Sequence, residues 1–102
     1  MSEIVRKGNL VIISPGQDLV NSTADKFIQE LKDEIRKSPS EIIIDLSGVE
    51  KIDSVGFSVI IAAHNSMKKI NGKIIVANVD SNLYKAFVTM RLDSHFSVEK
   101  ER

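Results

Sequence analysis

The sequence has no cysteine and no tryptophan, and only 5% of its 102 residues are aromatic. The absence of cysteine excludes disulfides, thiolate catalysis and cysteine-based zinc sites. An excess of charge is also missing, because 14 Lys and Arg residues balance 14 Asp and Glu residues. Nucleic-acid and membrane-surface binders usually need a basic excess, so we expect this chain to bind no nucleic acid directly.

Long hydrophobic runs are missing as well. No apolar stretch approaches the ~20 residues needed to span a bilayer, which predicts no membrane insertion. Residues 1–7 lack the apolar core of a signal peptide, and we therefore expect a cytoplasmic protein. The length and the hydrophobic content of 42% are typical of one globular domain, residues 1–102, with a single core.

Short β-branched runs alternate with helical patterns along the chain. Strand patterns occupy residues 3–7, 9–14, 41–46, 73–78 and 96–98. Apolar residues recur at helical spacing over residues 21–37, 54–70 and 80–90. This order predicts an α/β domain with a parallel or mixed sheet and helical crossovers.

Ser54 stands where a buried-type strand gives way to the second helix, with Asp53 before it and Gly56 two places after. A helix start offers unpaired N–H groups and a partial positive charge, which tolerate a phosphate. Phosphoserine carries about −1.5 to −2 charges near neutral pH, so burying it unpaired in an apolar interface would be costly. The pattern leaves two interpretations open: a phosphorylation switch, or a serine that only caps the helix.

The second helix also suggests a partner surface. At about 100° per residue, Phe57 and Ile61 fall on the side of Ser54, opposite the stripe that would cover the sheet. That stripe contains Val55, Val59, Ala63, Met67 and Ile70. An exposed Phe57–Ile61 pair beside a hydroxyl predicts a docking surface. The alternative is that a neighbouring helix covers both side chains.

Catalysis is not expected. His64 lies ten positions after Ser54, about 15 Å along a helix axis, which excludes a direct serine–histidine pair. No glycine-rich phosphate loop follows a strand, and we expect neither a cofactor nor a metal site. Asp45 superficially resembles the phosphoacceptor of a response-regulator receiver. The acidic pair and the late lysine of that class are missing.

Four segments together resemble the STAS domain, the family of anti-sigma-factor antagonists. Asp45–Val49 and Ile52–Phe57 resemble its signature, Gly16–Leu19 is similar to its glycine-x-aspartate turn, and Asn71–Asn78 matches its later strand. The resemblance covers nearly the whole chain. It implies a single STAS-like domain with a four- or five-stranded mixed β-sheet and helices mainly on one face.

The resemblance also implies a function. Ser54 would be the phosphoacceptor of an anti-sigma factor serine kinase. The unphosphorylated protein would bind that kinase and free a sigma factor, and a metal-dependent serine phosphatase would restore it. The chain departs from the family at Val55, where a second hydroxyl residue is common.

The docking surface follows from the same resemblance and from the helix pattern. It would contain Asp18, Phe57 and Ile61, while Asp53 would orient the phosphate or present charge, and Gly56 would let the partner's backbone approach. We expect a monomer or a weak dimer. The contrasting hypothesis is a constitutive subunit of a transporter, for example of the lipid-transport type, in which Ser54 is only a cap.

Overall fold

The computed structural model describes residues 2–101. Its strands are β1 (Glu3–Lys7), β2 (Leu10–Ser14), β3 (Glu41–Asp45), β4 (Lys73–Ala77) and β5 (Ser97–Val98). Its helices are α1 (Asn21–Ile35), α2 (Ser54–Lys69) and α3 (Ser81–Thr89), and a 3₁₀ turn spans Leu92–Ser94. The chain therefore forms the α/β arrangement that the sequence pattern predicts.

The five strands lie side by side in sequence order, from β1 to β5. A two-residue turn at Gly8 (φ 60°) joins β1 to β2, so this pair is antiparallel. Each later pair is parallel and is connected through one helix. The prediction of a mixed sheet is confirmed, with five strands.

The helices pack against one face of this sheet. Right-handed crossovers that always add the next strand on the same side must return over the same face. The strand side chains on that face are Val11, Ile13, Ile42, Ile44, Ile74 and Val76, and they share one core with apolar residues of all three helices. A smaller cluster around Ile43 and Ile75 occupies the other face. β3 is thus buried on both sides, as its run of isoleucines predicts.

The edge strand β1 is fastened to α1 by a buried carboxylate. Arg6 donates two hydrogen bonds of 2.7 Å to Glu34, whose exposed fraction is 3%. Lys37 approaches the same carboxylate at 3.4 Å. The hydrogen bond from Arg6 holds the pKa of Glu34 below its usual value, although burial opposes this shift. The otherwise exposed strand is therefore held at the sheet edge by charge as well as by backbone pairing.

Candidate functional site

Two loop segments meet at the carboxyl ends of β2 and β3. The Leu19 N–H donates to the Lys51 carbonyl at 3.0 Å, and the Asp53 N–H donates to the Leu19 carbonyl at 3.2 Å. Leu19 and Ile52 form a parallel β-bridge between them. These contacts join residues 18–21 to residues 50–53, and we call the joined pair the strap. The strap holds the predicted turn aspartate and the predicted phosphoacceptor at one corner of the domain.

Asp18 fixes one end of the strap. Its Oδ1 accepts hydrogen bonds from the backbone N–H groups of Glu50, at 2.9 Å, and Lys51, at 3.0 Å. These two bonds lower the pKa of Asp18, and the bond from Glu50 has the larger effect. The carboxylate therefore orders the loop that leads to α2, and its proposed contact with a partner stays a prediction.

Asp53 caps α2 and also reaches α1. Its Oδ1 accepts from the Gly56 N–H and its Oδ2 accepts from the Asn21 N–H, both at 2.9 Å. The hydrogen bond from Gly56 is the largest cause of its lowered pKa, so this side chain is a carboxylate at neutral pH. One side chain thus serves the first turns of two helices. The expectation that Asp53 orients a phosphate is not tested by this geometry.

Ser54 is the first residue of α2 and not its cap. Its side chain is exposed, and within residues 2–101 its hydroxyl has no hydrogen-bond partner. Its carbonyl accepts a hydrogen bond of 2.8 Å from the hydroxyl of Ser58, one turn on. The alternative in which Ser54 only caps the helix is therefore wrong, because Asp53 performs that task.

Gly56 is buried against the chain's own backbone. A Cβ at this position would collide with the backbone oxygen of Leu19 and would lie 2.8 Å from a methyl carbon of Ile52. The prediction that Gly56 admits a partner's backbone is wrong, because residues of the strap already fill the space. The glycine instead lets α2 start directly against the strap.

The prediction that Phe57 is exposed is also wrong, whereas the contact of Ile61 with a partner stays a prediction. Phe57 is 7% exposed, and its ring meets the Phe87 ring of α3 edge to face, with centroids 5.1 Å apart. Ile61 is half-buried and packs against the main core. A helical wheel of α2 contains no information about α3, whose Phe87 covers Phe57.

The exposed surface beside Ser54 is polar instead. It includes Asn21, Glu50 and Lys51 of the strap and Ser58 of α2. The sequence analysis missed Ser58, although its spacing of four residues from Ser54 already places it on the same helix face. Any partner that contacts Ser54 meets hydrogen-bonding groups and charges here.

Asp45 is held in a polar network and resembles no receiver site. Its Oδ1 accepts from the Asn78 amide at 2.9 Å and from the Ser47 hydroxyl at 2.7 Å. Burial raises the pKa of Asp45, but the hydrogen bonds from Asn78 and Ser47 outweigh it and leave the pKa below its usual value. Across residues 2–101, no three His, Cys, Asp or Glu side chains converge as a metal site would require.

Comparison with known proteins supplies the family. The profile of the STAS domain matches residues 1–101, and the chain belongs to the STAS domain family. A comparison with curated proteins gave no significant sequence match. None of the helices in the described part of the chain has the length and hydropathy needed to cross a membrane.

Solved structures share the fold. A Thermotoga maritima protein described as a candidate anti-sigma factor antagonist superposes with a TM-score of 0.90 at 23% identity, covering 96% of this chain and 85% of that one. An anti-sigma factor antagonist from Mycobacterium paratuberculosis gives 0.83 at 21% identity, covering 97% and 84%. The phosphorylated Bacillus cell fate determinant SpoIIAA gives 0.76 at 15% identity, covering 96% and 90%. At these identities the likeness establishes the fold.

Proposed function

We propose that this protein is a phospho-regulated anti-sigma-factor antagonist. The unphosphorylated form binds an anti-sigma factor serine kinase and frees the sigma factor. Phosphorylation of Ser54 releases the kinase, and a metal-dependent serine phosphatase reverses the modification. The observation that carries this proposal is the exposed Ser54 hydroxyl, which lies at a rigid helix start and has no partner among residues 2–101. The SpoIIAA structure, which has the same fold and is phosphorylated, supports the proposal of regulation by phosphorylation.

The switch acts through charge. A phosphate on Ser54 would add about −1.5 to −2 charges beside the Asp53 carboxylate. That carboxylate already accepts the hydrogen bond of the Gly56 N–H, so fewer N–H groups at the helix start remain to stabilise the negative charge of the phosphate. A partner covering this corner would have to desolvate two neighbouring anions. Each ~1.4 kcal/mol of that cost weakens binding tenfold.

The test compares Ser54→Ala with Ser54→Asp. We expect Ser54→Ala to bind the candidate kinase constitutively and Ser54→Asp to bind at least about tenfold more weakly, measured by titration calorimetry. Intact-mass spectrometry after incubation with the kinase and Mg-ATP should show one phosphate, mapped to Ser54. Ser58→Asp, also exposed but one turn further along α2, is the matched control and should weaken binding less.

Equal affinities of the Ser54→Ala and Ser54→Asp proteins would contradict the charge argument. A phosphate that maps to Ser58 in place of Ser54 would contradict the assignment of the phosphoacceptor. The melting temperatures of all three variants should stay close to that of the wild type, because both serines are exposed.

A second candidate function is a constitutive subunit of a transporter assembly. A sulfate transporter family protein from Wolinella succinogenes shares the fold, with a TM-score of 0.81 at 19% identity over 95% of this chain and 81% of that one. In this case Ser54 stays unmodified, and Ser54→Asp does not release the partner. Copurification of permease components with both Ser54 variants would favour this function.

A further inference from the structure

The far half of α2 borders a cleft of about 300 Å³. One wall is α2 itself, and the other is the segment that follows α3. Its apolar side consists of Ile61, Leu92 and Phe96, and its polar side contains His64, Lys68 and His95. Clefts of this size hold small molecules elsewhere in proteins.

The cleft places the Lys68 ammonium beside two imidazoles in a protein whose formal net charge is zero. Among residues 2–101, the titratable groups that line it are Lys68 and the two imidazoles, and none of the lining residues in this range carries a carboxylate. The imidazole rings of His64 and His95 lie 6.4 Å apart, and the ring of Phe96 lies 5.3 Å from that of His64. Apolar side chains therefore adjoin four nitrogen-bearing side chains, which are those of His64, Asn65, Lys68 and His95.

A metal ion is a poor occupant of this cleft. Two histidines would need a further ligand, and no third His, Cys, Asp or Glu side chain joins them within residues 2–101. The Lys68 ammonium would also repel a cation. The lining favours an anion, because a carboxylate or phosphate can accept hydrogen bonds from ammonium and imidazole groups.

We propose that this cleft binds a small organic anion with an apolar body. The body packs against Ile61, Leu92 and Phe96, and its carboxylate or phosphate faces Lys68 and the two histidines. Lys68 lies 14 positions beyond Ser54, about 21 Å along the helix axis. The site is therefore separate from the proposed phosphoacceptor, and its existence does not depend on the function proposed above.

Protonation of His64 couples this site to pH. Burial lowers the pKa of His64 first, and the neighbouring charges of Lys68 and His95 lower it further. These are the titratable groups that face His64 from α2 and from the segment after α3. A bound anion offsets the repulsion, so the protonated imidazole becomes more stable in the complex. Binding should tighten as the pH falls from about 7.5 to about 6.

The experiment is an amide NMR titration of the full chain with 1-naphthoate, with the neutral 1-naphthamide as the matched ligand. We expect naphthoate to shift the amides of residues 61–68 and 92–96 and to bind at least about fivefold more tightly than naphthamide. Lys68→Met should remove most of this difference, because it keeps an apolar stem without the charge. Lys69→Met, its exposed neighbour outside the lining, should leave the difference unchanged.

Three results would overturn the proposal. The first is an absence of shifts at millimolar naphthoate, and the second is equal binding of naphthoate and naphthamide. The third is an equal loss in the Lys68→Met and Lys69→Met proteins, which would indicate non-specific attraction. Circular dichroism of both variants establishes that the fold is intact, since both lysines are exposed.

Discussion

Asp53 and Ser54 have different roles at the start of α2. The aspartate supplies the cap, and the serine keeps its hydroxyl in solvent. The sequence predicts a helix start near these residues but does not decide which of them is the cap, because both residue types favour that position. The decision depends on backbone conformation and on the strap, which brings Asn21 within reach of Asp53.

This division predicts unequal effects of two substitutions. We expect Asp53→Ala to lower the melting temperature by about 5 °C or more, because a helix cap and a link between two helices are lost. Ser54→Ala should change it by no more than about 2 °C. Asp80→Ala removes a cap whose side chain, within residues 2–101, accepts from the Leu83 N–H of α3 alone, and the decrease in its melting temperature should fall between the other two. An equal drop for Asp53→Ala and Asp80→Ala in thermal circular dichroism would contradict a linking role.

Gly56 gives a second prediction at this scale. Gly56→Ala places a methyl group against the Leu19 backbone oxygen, which cannot move without breaking the strap. We expect the free energy of unfolding to fall by about 2–3 kcal/mol, as for other overpacked sites. Ser58→Ala, an exposed position in the same helix, should be nearly neutral. Urea denaturation of both proteins measures the difference, and a neutral Gly56→Ala would show that the strap tolerates displacement.

At the scale of elements, periodicity predicts the strands and helices well but predicts their flanks poorly. β1 and β5 appear in the sequence as short β-branched runs, and both form. The prediction that Phe57 is exposed fails because the spacing within α2 only indicates which residues share a face. Whether that face meets water depends on α3, whose Phe87 covers it. The start of α2 was therefore placed correctly along the chain, while Phe57 was assigned to the wrong environment. The role of Ser54 as phosphoacceptor stays a prediction.

The attachment of β1 to α1 gives a prediction for an element. Arg6→Met removes the two hydrogen bonds to the buried Glu34 carboxylate and leaves it only the longer contact with Lys37. We expect the amides of β1 to exchange with solvent about tenfold faster, since an edge strand opens locally. Arg36→Met removes an exposed pair with Asp33 and should leave these rates unchanged. Unaltered β1 exchange in the Arg6→Met protein would mean that backbone pairing alone holds the strand.

For the whole molecule, the order of strands and crossovers places the helices on one face and the strap at one corner. This architecture follows from the alternating pattern and the handedness of crossovers, and it was predictable. The cleft was not predictable from the sequence, because it forms between α2 and residues 92–96, which are distant in sequence. In the sequence His64 is only a residue of a helix, and its contacts with His95 and Phe96 become visible in the folded structure.

The pKa of His64 predicts how the stability of the molecule depends on pH. A pKa lowered from 6.5 in the folded state means that the unfolded chain binds a proton more readily. The stability from this group is complete above about pH 6.5 and declines as the pH falls through the lowered folded value. We expect the melting temperature to decrease between pH 7.5 and 5.5, and to decrease less in the His64→Gln protein. Equal slopes for the two proteins would contradict this assignment.

The double role of the Asp53 carboxylate would also limit which kinases could carry out the proposed phosphorylation of Ser54. A kinase that accepts only extended peptides would have to unwind the first turn of α2, and with it release Asn21 and the strap. For each phosphate transferred, such an enzyme would have to supply the free energy needed to break these hydrogen bonds. A kinase that recognises the folded corner would avoid this cost in free energy. If Ser54 is phosphorylated as proposed, the hydrogen bonds at the helix start would therefore favour a dedicated kinase over general protein kinases.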